Sequence, residues 1–277
     1  MYHGLSTIVR LIVLRHMQVT ASQLGVHPMP TVLITGCSSG FGLETAKLFL
    51  EKGWKVVATM REPKDEILPA SANLVVLPLD VTDPDSIARA VGRAGEIDVL
   101  VNNAGFGAAV PIELIEPKTA RQLFETNTLG TLAMLQAILP GFRKRRSGVV
   151  INVTSTVTLK PLPLVSAYRA SKAAVNALTE SLAVEMEPFG VRVHIVLPGR
   201  SPETNFGSNA MPHLRGLDNP DYKPLIEGMI ARFRDDTGSV THAADVAAAV
   251  WRAATDPHAP LKIPAGEDAV TWMAEAG

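Results

Sequence analysis

The sequence lacks most of what would mark an extracellular or metal-dependent protein. Its 277 residues include a single cysteine, Cys37, which excludes an intramolecular disulfide framework and a cysteine-based zinc cluster. The seven histidines form no pair spaced i, i+4 and no H-E-x-x-H motif, so no metal site is predicted. This composition fits a reducing, cytoplasmic setting.

Net charge and long apolar runs are also scarce. The 26 Lys and Arg residues balance 27 Asp and Glu residues, which leaves no overall attraction for nucleic acid or an anionic membrane. The apolar stretch 5–14 reaches about half the length needed to cross a bilayer, so no membrane span is predicted. Apolar residues make up 47% of the chain, enough for a sizeable core. A small-molecule substrate is the partner that this balance favours.

Three parts of the chain are distinguished by composition. Residues 1–28 precede Met29 and the first strand, and we expect them to be an upstream extension outside the fold; an interfacial or targeting segment is the alternative. Residues 29–277 are expected to form one domain, because no shift in composition divides them. Within it, the proline-rich stretch of about 200–238 is expected to be a substrate lid, with a plain surface excursion as the alternative.

Short β-rich runs alternate with longer helical patterns after Met29. Runs rich in Val, Ile and Leu predict strands buried on both faces, over 31–35, 55–59, 74–79, 99–101, 149–153 and 191–196. Apolar residues at helical spacing predict helices over 43–52, 84–93, 117–145 and 166–188. The alternation predicts an α/β fold, a single-domain Rossmann-type doubly wound parallel sheet with helices on both faces.

A glycine-rich turn joins the first predicted strand to the first helix. It reads Gly36-Cys37-Ser38-Ser39-Gly40-Phe41-Gly42. The glycines allow the backbone to approach a pyrophosphate closely, the helix N-terminus offers free N–H groups, and the two serines add hydroxyl donors. Because the spacing is not G-x-G-x-x-G, a turn without a ligand is the alternative when the motif stands alone. We expect Cys37 to fill a tight space rather than act as a redox switch.

The end of the second strand bears on the choice of coenzyme. An acidic residue there would accept from the ribose 2′-OH, whereas an arginine suits a 2′-phosphate. Met60 takes the usual acidic position and Arg61 follows it. The sequence therefore favours NADP(H) over NAD(H), although Glu62 can compete for Arg61.

Three side chains offer acid–base chemistry. Tyr168 and Lys172 are spaced i, i+4 and so share one helix face, and Ser155 follows the fifth strand at its carboxyl end. An ammonium within about 4–6 Å is expected to lower the pKa of the phenol, which could then exchange a proton with a carbonyl or alcohol oxygen that Ser155 binds. For this pair alone, a surface tyrosine beside a solvated lysine is the alternative.

Together these motifs resemble the short-chain dehydrogenase/reductase family over about residues 31–200. They occur in one order: Thr35-Gly36-x-x-x-Gly40-x-Gly42, Asn102-Asn103-Ala104-Gly105, Asn127, Ser155, Tyr168-x-x-x-Lys172 and Pro198-Gly199. The resemblance implies hydride transfer between a nicotinamide coenzyme and an alcohol or carbonyl carbon, with Tyr168 handling the proton. Phe41 and the stretch 58–61 look most like the hydroxysteroid and retinol dehydrogenase-like branch.

The resemblance also implies a role for each site residue. The implied catalytic set is Asn127, Ser155, Tyr168 and Lys172. Asn127 would order a water in a proton relay, and Lys172 would hold the nicotinamide ribose hydroxyls. The implied coenzyme-binding set is Gly36, Ser38, Ser39, Gly40, Phe41, Gly42, Arg61, Asp80, Val81, Asn103, Ala104, Gly105, Tyr168, Lys172, Pro198 and Gly199. Within that set, Asp80 and Val81 would flank the adenine.

One stretch departs from the family pattern. The family commonly has a threonine five residues after the proline of Pro198-Gly199, whereas Thr204 follows at six and Pro202 cannot donate an N–H. Arg200 either points into the substrate cleft, which would favour a polar or anionic substrate, or is a solvated loop residue.

Two other functions and an assembly complete the sequence-based hypotheses. A catalytically silent nucleotide-binding protein is one alternative, and a 3-oxoacyl-carrier-protein reductase is another. The latter would need a basic docking patch, for which Arg121 and the run 143–146 are the candidates, although that run is expected to be a solvated helix C-terminus. Apolar residues surround most of helix 166–188, which predicts a homodimer or homotetramer.

Overall fold

Seven parallel strands form the centre of the molecule. The structure is a computed structural model that describes residues 29–64, 66–235 and 238–276, so the predicted extension 1–28 lies outside the described residues. The strands are β1 (Thr31–Thr35), β2 (Lys55–Met60), β3 (Leu74–Pro78), β4 (Val99–Asn102), β5 (Gly148–Val153), β6 (Val191–Pro198) and β7 (Lys262–Ala265). Their order is β3-β2-β1-β4-β5-β6-β7, and each pairing is parallel. The predicted doubly wound parallel sheet is confirmed.

Helices cover both faces of this sheet. They are α1 (Gly40–Glu51), α2 (Pro84–Ala94), α3 (Pro117–Phe124), α4 (Gly130–Arg145), α5 (Ser166–Met186), α6 (Phe206–Ala210), α7 (Lys223–Arg234), α8 (Ala243–Thr255) and α9 (Glu267–Ala276). Phe49 of α1 and Val250 of α8 pack on one face, and Phe142 of α4 and Leu182 of α5 pack on the other. Alternate residues of strands β1 to β6 pack into these two cores, as the continuous apolar runs predict.

The elements differ from the sequence prediction in several places, and helices α8 and α9 were among those not predicted. Strand β7 was not predicted, because it has only four residues and contains Pro264, which an edge strand tolerates. The predicted helix 117–145 is divided into α3 and α4 by a π-helical turn, Glu125–Leu129. The proline-rich stretch contains helices α6 and α7.

The strand order places a binding crevice. β1 pairs with β2 on one side and with β4 on the other, so the connections run in opposite directions from this point, and ligands of such sheets bind beyond the carboxyl ends there. The glycine turn, Asn103 and Ser155 all follow strands at this edge. Within the described residues, no helix is long and apolar enough to cross a membrane.

Candidate active site

The glycine turn is packed directly against the neighbouring backbone. Gly36 has φ +76° and Gly40 has φ +57°, which glycine adopts without strain. A Cβ on Gly36 would lie 2.9 Å from Ala104 Cα, and one on Gly42 would lie 2.4 Å from the Gly36 carbonyl oxygen. Helix α1 begins here, with no side-chain cap from Ser39 and no acidic residue in its first turn. Its first N–H groups therefore face the crevice without an anionic neighbour in that turn.

Thr35 and Asn103 hold this turn to the end of β4. The Thr35 hydroxyl accepts from the backbone N–H groups of Asn103 (3.0 Å) and Ala104 (2.9 Å). The Asn103 amide donates to the carbonyls of Thr35 (2.9 Å) and Gly36 (3.1 Å). Thr35 has no predicted role, although its place directly before Gly36 is a usable signal.

Arg61, Asp80 and Val81 lie beyond the ends of β2 and β3. The Arg61 side chain is exposed, and within the described residues it has no hydrogen bond or ion pair, so Glu62 does not engage it. The Asp80 carboxylate accepts from the N–H (2.9 Å) and hydroxyl (2.7 Å) of Thr82. Val81 is buried against α4, where a Cβ on Gly130 would lie 2.7 Å from Val81 Cγ2.

Asn127 connects two parts of the site from the π-helical turn. Its side-chain oxygen accepts from Phe106 N–H (3.0 Å), and its amide donates to the Phe106 carbonyl and the Ser171 hydroxyl, each at 3.0 Å. Its side chain thus links the loop after β4 to α5. A Cβ on Gly105 would lie 2.8 Å from Asn127 Oδ1, so Gly105 allows this close approach.

Helix α5 carries Tyr168 and Lys172 into the same crevice. The two residues are 5% and 6% exposed, which excludes the alternative of a surface tyrosine with a solvated lysine. Lys172 Nζ donates to the Val153 carbonyl at the end of β5 (3.0 Å), and burial lowers its pKa to about 8. Nζ also lies 3.2 Å from where a Cβ on Gly105 would be. The structure therefore brings Lys172 to the loop that follows β4.

The pKa of Tyr168 moves in the direction opposite to the one expected. Burial raises it to about 12, and a hydrogen bond with Ser155 opposes the rise only in part. The prediction of a lowered phenol pKa is therefore wrong. Removal from water disfavours the phenolate, and the only hydrogen bond of the Lys172 ammonium among the described residues goes to the Val153 carbonyl. Tyr168 is consequently protonated at neutral pH, which suits it to donate a proton.

Residues 199–235 and 238–242, here called the covering segment, lie between β6 and α8, and two of them contact the crevice. Near its start, Thr204 contacts Gly40, with Thr204 Cβ 3.5 Å from a Cβ built there. Further along, the centroid of the Phe206 ring lies 5.4 Å from the centroid of the Tyr168 ring. The apolar cluster around Tyr168 also includes Phe106, Ala108, Val110, Leu114, Leu123, Val157 and Val165. The covering segment thus reaches from the glycine turn to the phenol.

Arg200 has neither of its two predicted environments. Its guanidinium donates to the carbonyl of Phe233 (3.3 Å) and to that of Asp235 at the end of α7. The guanidinium therefore joins the start of the covering segment to the end of α7. It gives no reason to expect an anionic substrate.

The remaining candidates lie apart from this chemistry. Residues 143–146 lie at the end of α4, directly before β5, and so at the amino edge of the sheet. Cys37 is fully buried, its thiol donates to the Ile34 carbonyl (3.3 Å), and burial raises its pKa to about 12, as expected of a residue that fills space. The described residues contain no cluster able to hold a metal ion.

A buried amide chain beneath the site was missed. The Asn102 amide donates to Asn152 Oδ1 (2.9 Å), and the Asn152 amide donates to the Thr179 hydroxyl of α5 (2.8 Å). Asn102 and Asn152 are register partners in β4 and β5. The available signal was a polar residue at the end of one apolar strand run and another within the next.

Comparison with known proteins gives one family. The model of the short chain dehydrogenase family matches residues 30–213. Human retinol dehydrogenase 8 is 39% identical over 180 residues, which cover 61% of this chain and 58% of that protein. The chain therefore spans less than two thirds of that relative. The 3-ketodihydrosphingosine reductase of Bacteroides thetaiotaomicron is 33% identical over 240 residues, covering 85% of this chain and 87% of the reductase.

Solved structures agree in fold. Serine dehydrogenase in its closed form with NADP+ has a TM-score of 0.74 and 28% identity, covering 86% of this chain and 95% of that one. The 3-ketoacyl-(acyl-carrier-protein) reductase of Brucella melitensis, complexed with NADH, has a TM-score of 0.70 and 28% identity, covering 85% and 96%. Similar folds thus occur with either coenzyme.

Proposed function

Because the chain belongs to the short-chain dehydrogenase/reductase family of oxidoreductases, we propose that it uses NADP(H) to interconvert an alcohol and a carbonyl compound. The observation that carries this proposal is the convergence of Ser155, Tyr168 and Lys172 beside the glycine turn. A nucleotide-binding protein without activity would not need a buried phenol and ammonium at this edge.

The residues present fit a dinucleotide. The backbone approach that Gly36 and Gly42 allow, together with the uncapped start of α1, forms a cradle for a pyrophosphate. Asn103 keeps that cradle in place, and Lys172 would hold ribose hydroxyls beside Gly105. When bound, the nicotinamide supplies the hydride acceptor or donor. The remaining chemistry belongs to side chains of this protein.

Proton transfer is assigned to Tyr168. Its phenol holds its proton at neutral pH and can give it to a carbonyl oxygen, while the Ser155 hydroxyl donates to the same oxygen. Lys172 is mostly charged below about pH 8. Its ammonium then places a positive charge on the same face of α5 as the Tyr168 phenol. Because its pKa is raised, the phenol is the proton donor that carbonyl reduction needs at neutral pH.

The preference for NADP(H) rests on Arg61. Its exposed guanidinium follows β2, is not paired within the described residues and is free to form a forked pair with a 2′-phosphate. Met60 puts no negative charge at the position before it. These two features support NADP(H) over NAD(H).

An apolar body is proposed for the substrate. The groups around Tyr168 are aliphatic and aromatic side chains, and Phe206 covers the ring from the covering segment. Two relatives are named for retinol and for 3-ketodihydrosphingosine, both of which join a polar group to a long apolar part. A substrate with its hydroxyl or carbonyl at Tyr168 could pack its apolar part against these side chains.

Assembly as a homodimer or homotetramer is also proposed. The outward face of α5 exposes Ala170, Ala173, Ala177 and Val184, and Val184 is 71% exposed. Light scattering at micromolar concentration should show more than one chain per particle, and monomers alone would contradict this proposal. The cytoplasmic location stays a prediction.

The test of the activity is NADPH oxidation with a panel of apolar ketones and aldehydes. Wild-type protein should turn over at least one of them, and Tyr168→Phe should lower kcat by about 10²–10⁴-fold with unchanged affinity for NADPH. Ser155→Ala should also lower kcat, whereas Ser166→Ala, an exposed serine at the start of the same helix as Tyr168, should not. If wild type and Tyr168→Phe both bind NADPH and neither turns over any substrate, the chain is a silent binding protein.

A further inference from the structure

The first two residues of the covering segment are held by groups far along the chain. The Gly199 N–H donates to the Thr241 hydroxyl (2.9 Å), and the Arg200 N–H donates to Asp268 Oδ2 (2.6 Å). Thr241 precedes α8, and Asp268 lies in the first turn of α9. The main chain leaving β6 is therefore fixed by two side chains from other elements.

Asp268 and Thr241 also bind each other. Thr241 is fully buried, and its hydroxyl lies 2.7 Å from both Asp268 Oδ1 and the Ala265 carbonyl, so its single proton serves one of these acceptors at a time. Asp268 Oδ1 further accepts from the Ala269 N–H (2.9 Å). We call this pair of side chains the Asp268–Thr241 clamp.

Two glycines make room for the clamp. A Cβ on Gly199 would lie 2.2 Å from Asp268 Oδ2, and a Cβ on Gly266, which has φ +99°, would lie 2.1 Å from the Thr241 hydroxyl. Any side chain at either position would push the carboxylate or the hydroxyl out of hydrogen-bonding range. The absence of a side chain at Gly199 thus has a local cause, the approach of Asp268.

The backbone fixed in this way leads straight over the crevice. Five residues after Gly199, Thr204 contacts Gly40 of the glycine turn, and Phe206 contacts Tyr168. Between them the segment has few internal bonds: Thr204 bonds the Ser201 carbonyl through its hydroxyl (3.0 Å) and its N–H (3.4 Å). Pro202 has no N–H to add. Outside the stretch, the Glu203 carboxylate accepts from the Ala243 N–H (2.7 Å) and lies 2.9 Å from His242 Nδ1. The position of this stretch above the crevice therefore depends on two anchors, one at Gly199 and Arg200 and one at Glu203.

We propose that Asp268 and Thr241 are positioning residues for the coenzyme. They hold the main chain of Gly199 and Arg200 so that Thr204 covers a dinucleotide at the glycine turn, while Phe206 lies farther along the segment, against Tyr168. This inference rests on the proposed function. The extra residue before Thr204 thus lies in a stretch whose start is held by side chains of other elements.

Hydrogen exchange and coenzyme affinity test the clamp. Thr241→Val removes the acceptor of the Gly199 N–H, and Asp268→Asn presents an amide N–H₂ to one of the groups that now donate to the carboxylate. We expect both variants to speed amide exchange at residues 199–200 in the protein alone. They should also raise the Kd for NADPH, followed by its fluorescence, about tenfold, while kcat at saturating NADPH falls less than about threefold.

Two controls separate positioning from general stability. Thr241→Ser keeps the hydroxyl and should restore both exchange and affinity to within about twofold of wild type. Glu267→Gln removes an exposed charge from the same helical turn as Asp268 without touching the loop, and should change neither. If Asp268→Asn does not fold, the comparison of Thr241→Val with Thr241→Ser decides alone.

The outcomes are distinct. Faster exchange at residues 199–200 with an unchanged Kd would show that the clamp is merely structural and would overturn the inference. Unchanged exchange in Thr241→Val would overturn it as well. If wild-type protein binds neither NADP(H) nor NAD(H), the proposed function fails, and the inference fails with it.

Discussion

The edge formed by the strand ends and the covering segment above it are built in different ways. At the edge, partners such as Thr35 and Asn103 meet because β1 and β4 are neighbours in the sheet. In the covering segment, Arg200 is held by helix ends, through its side chain at α7 and its N–H at α9. The sheet therefore fixes the groups that perform chemistry, while the cover can be altered through a few contacts. Substitutions inside the edge should affect folding and coenzyme binding together, whereas those in the cover should affect binding with little effect on folding.

The largest effect is expected from adding a side chain at Gly42, where α1 comes very close to the backbone of the glycine turn. Gly42→Ala would place a Cβ 2.4 Å from the Gly36 carbonyl oxygen and 2.6 Å from the Asn103 amide. We expect the free energy of unfolding to fall by about 3 kcal/mol and NADPH affinity to fall more than about a hundredfold. Urea unfolding and fluorescence titration measure these two quantities.

The matched control is Gly92→Ala. This glycine lies in α2 with no atom within 4 Å of its Cβ position, so alanine should raise the free energy of unfolding by about 0.5–1 kcal/mol. Equal effects of the two substitutions would contradict the tight packing of the glycine turn.

The charge of Lys172 at the edge predicts a pH dependence of the activity. Burial lowers the pKa of Lys172 to about 8, so its charge is present below pH 8 and lost above it, whereas Tyr168 keeps its proton up to about pH 12. The value of kcat/KM for carbonyl reduction should be level from about pH 6 to 7.5 and fall about tenfold per pH unit above pH 8. A decline that begins only near pH 10 would contradict this assignment.

Two further measurements check that Lys172 causes the decline. Lys172→Arg keeps its charge at all these pH values, so its profile should lack the fall above pH 8 even if its activity is lower throughout. Because the unfolded chain holds this proton to about pH 10, it binds more protons than the folded protein between pH 8 and 10. Lys172 should therefore make the free energy of unfolding rise with pH in that window.

A substitution in the covering segment should change how efficiently the protein uses its substrate. Phe206→Ala removes a ring that contacts Tyr168 and fills the space beside Gly107, where a Cβ would lie 2.3 Å from Phe206 Cζ. We expect kcat/KM for apolar carbonyl substrates to fall about tenfold with NADPH affinity within about twofold of wild type. Phe206→Leu, which keeps an apolar group, should recover most of the loss. A change in coenzyme affinity alone would contradict this assignment and would show that Phe206 contacts the coenzyme instead of the substrate.

The smallest effect is expected at the exposed rim of the edge. Arg61→Ser should weaken NADPH binding about fivefold and leave NADH binding unchanged, because an exposed ion pair contributes little free energy. Titration with both coenzymes measures this, and Lys64→Ala, an exposed charge three residues away, is the control. Equal losses for NADPH and NADH would contradict a 2′-phosphate contact.

The sequence predicted the edge far better than the cover, for physical reasons. Strand runs and the residues that follow them determine where Ser155 and Asn103 lie, since parallel strands end at one edge. The pKa of Tyr168 could not be predicted, because its burial depends on Phe206 and other side chains brought in by loops. Arg200 binds backbone carbonyls, which every residue possesses, so no pattern of side chains reveals its partner. The π-helical turn was hidden because apolar spacing continues through it.

The amide chain Asn102–Asn152–Thr179 has a consequence for how the molecule assembles. A helix α5 docked one turn away from its observed place would remove the Thr179 hydroxyl from the Asn152 amide. That buried amide would then lack an acceptor, at a cost of about 1–3 kcal/mol. Such a misfolded arrangement would lose free energy in two ways, through poorer packing of α5 and through the unpaired Asn152 amide. The phenol and the ammonium thus reach the crevice in a single alignment, selected during folding by residues that touch no reactant.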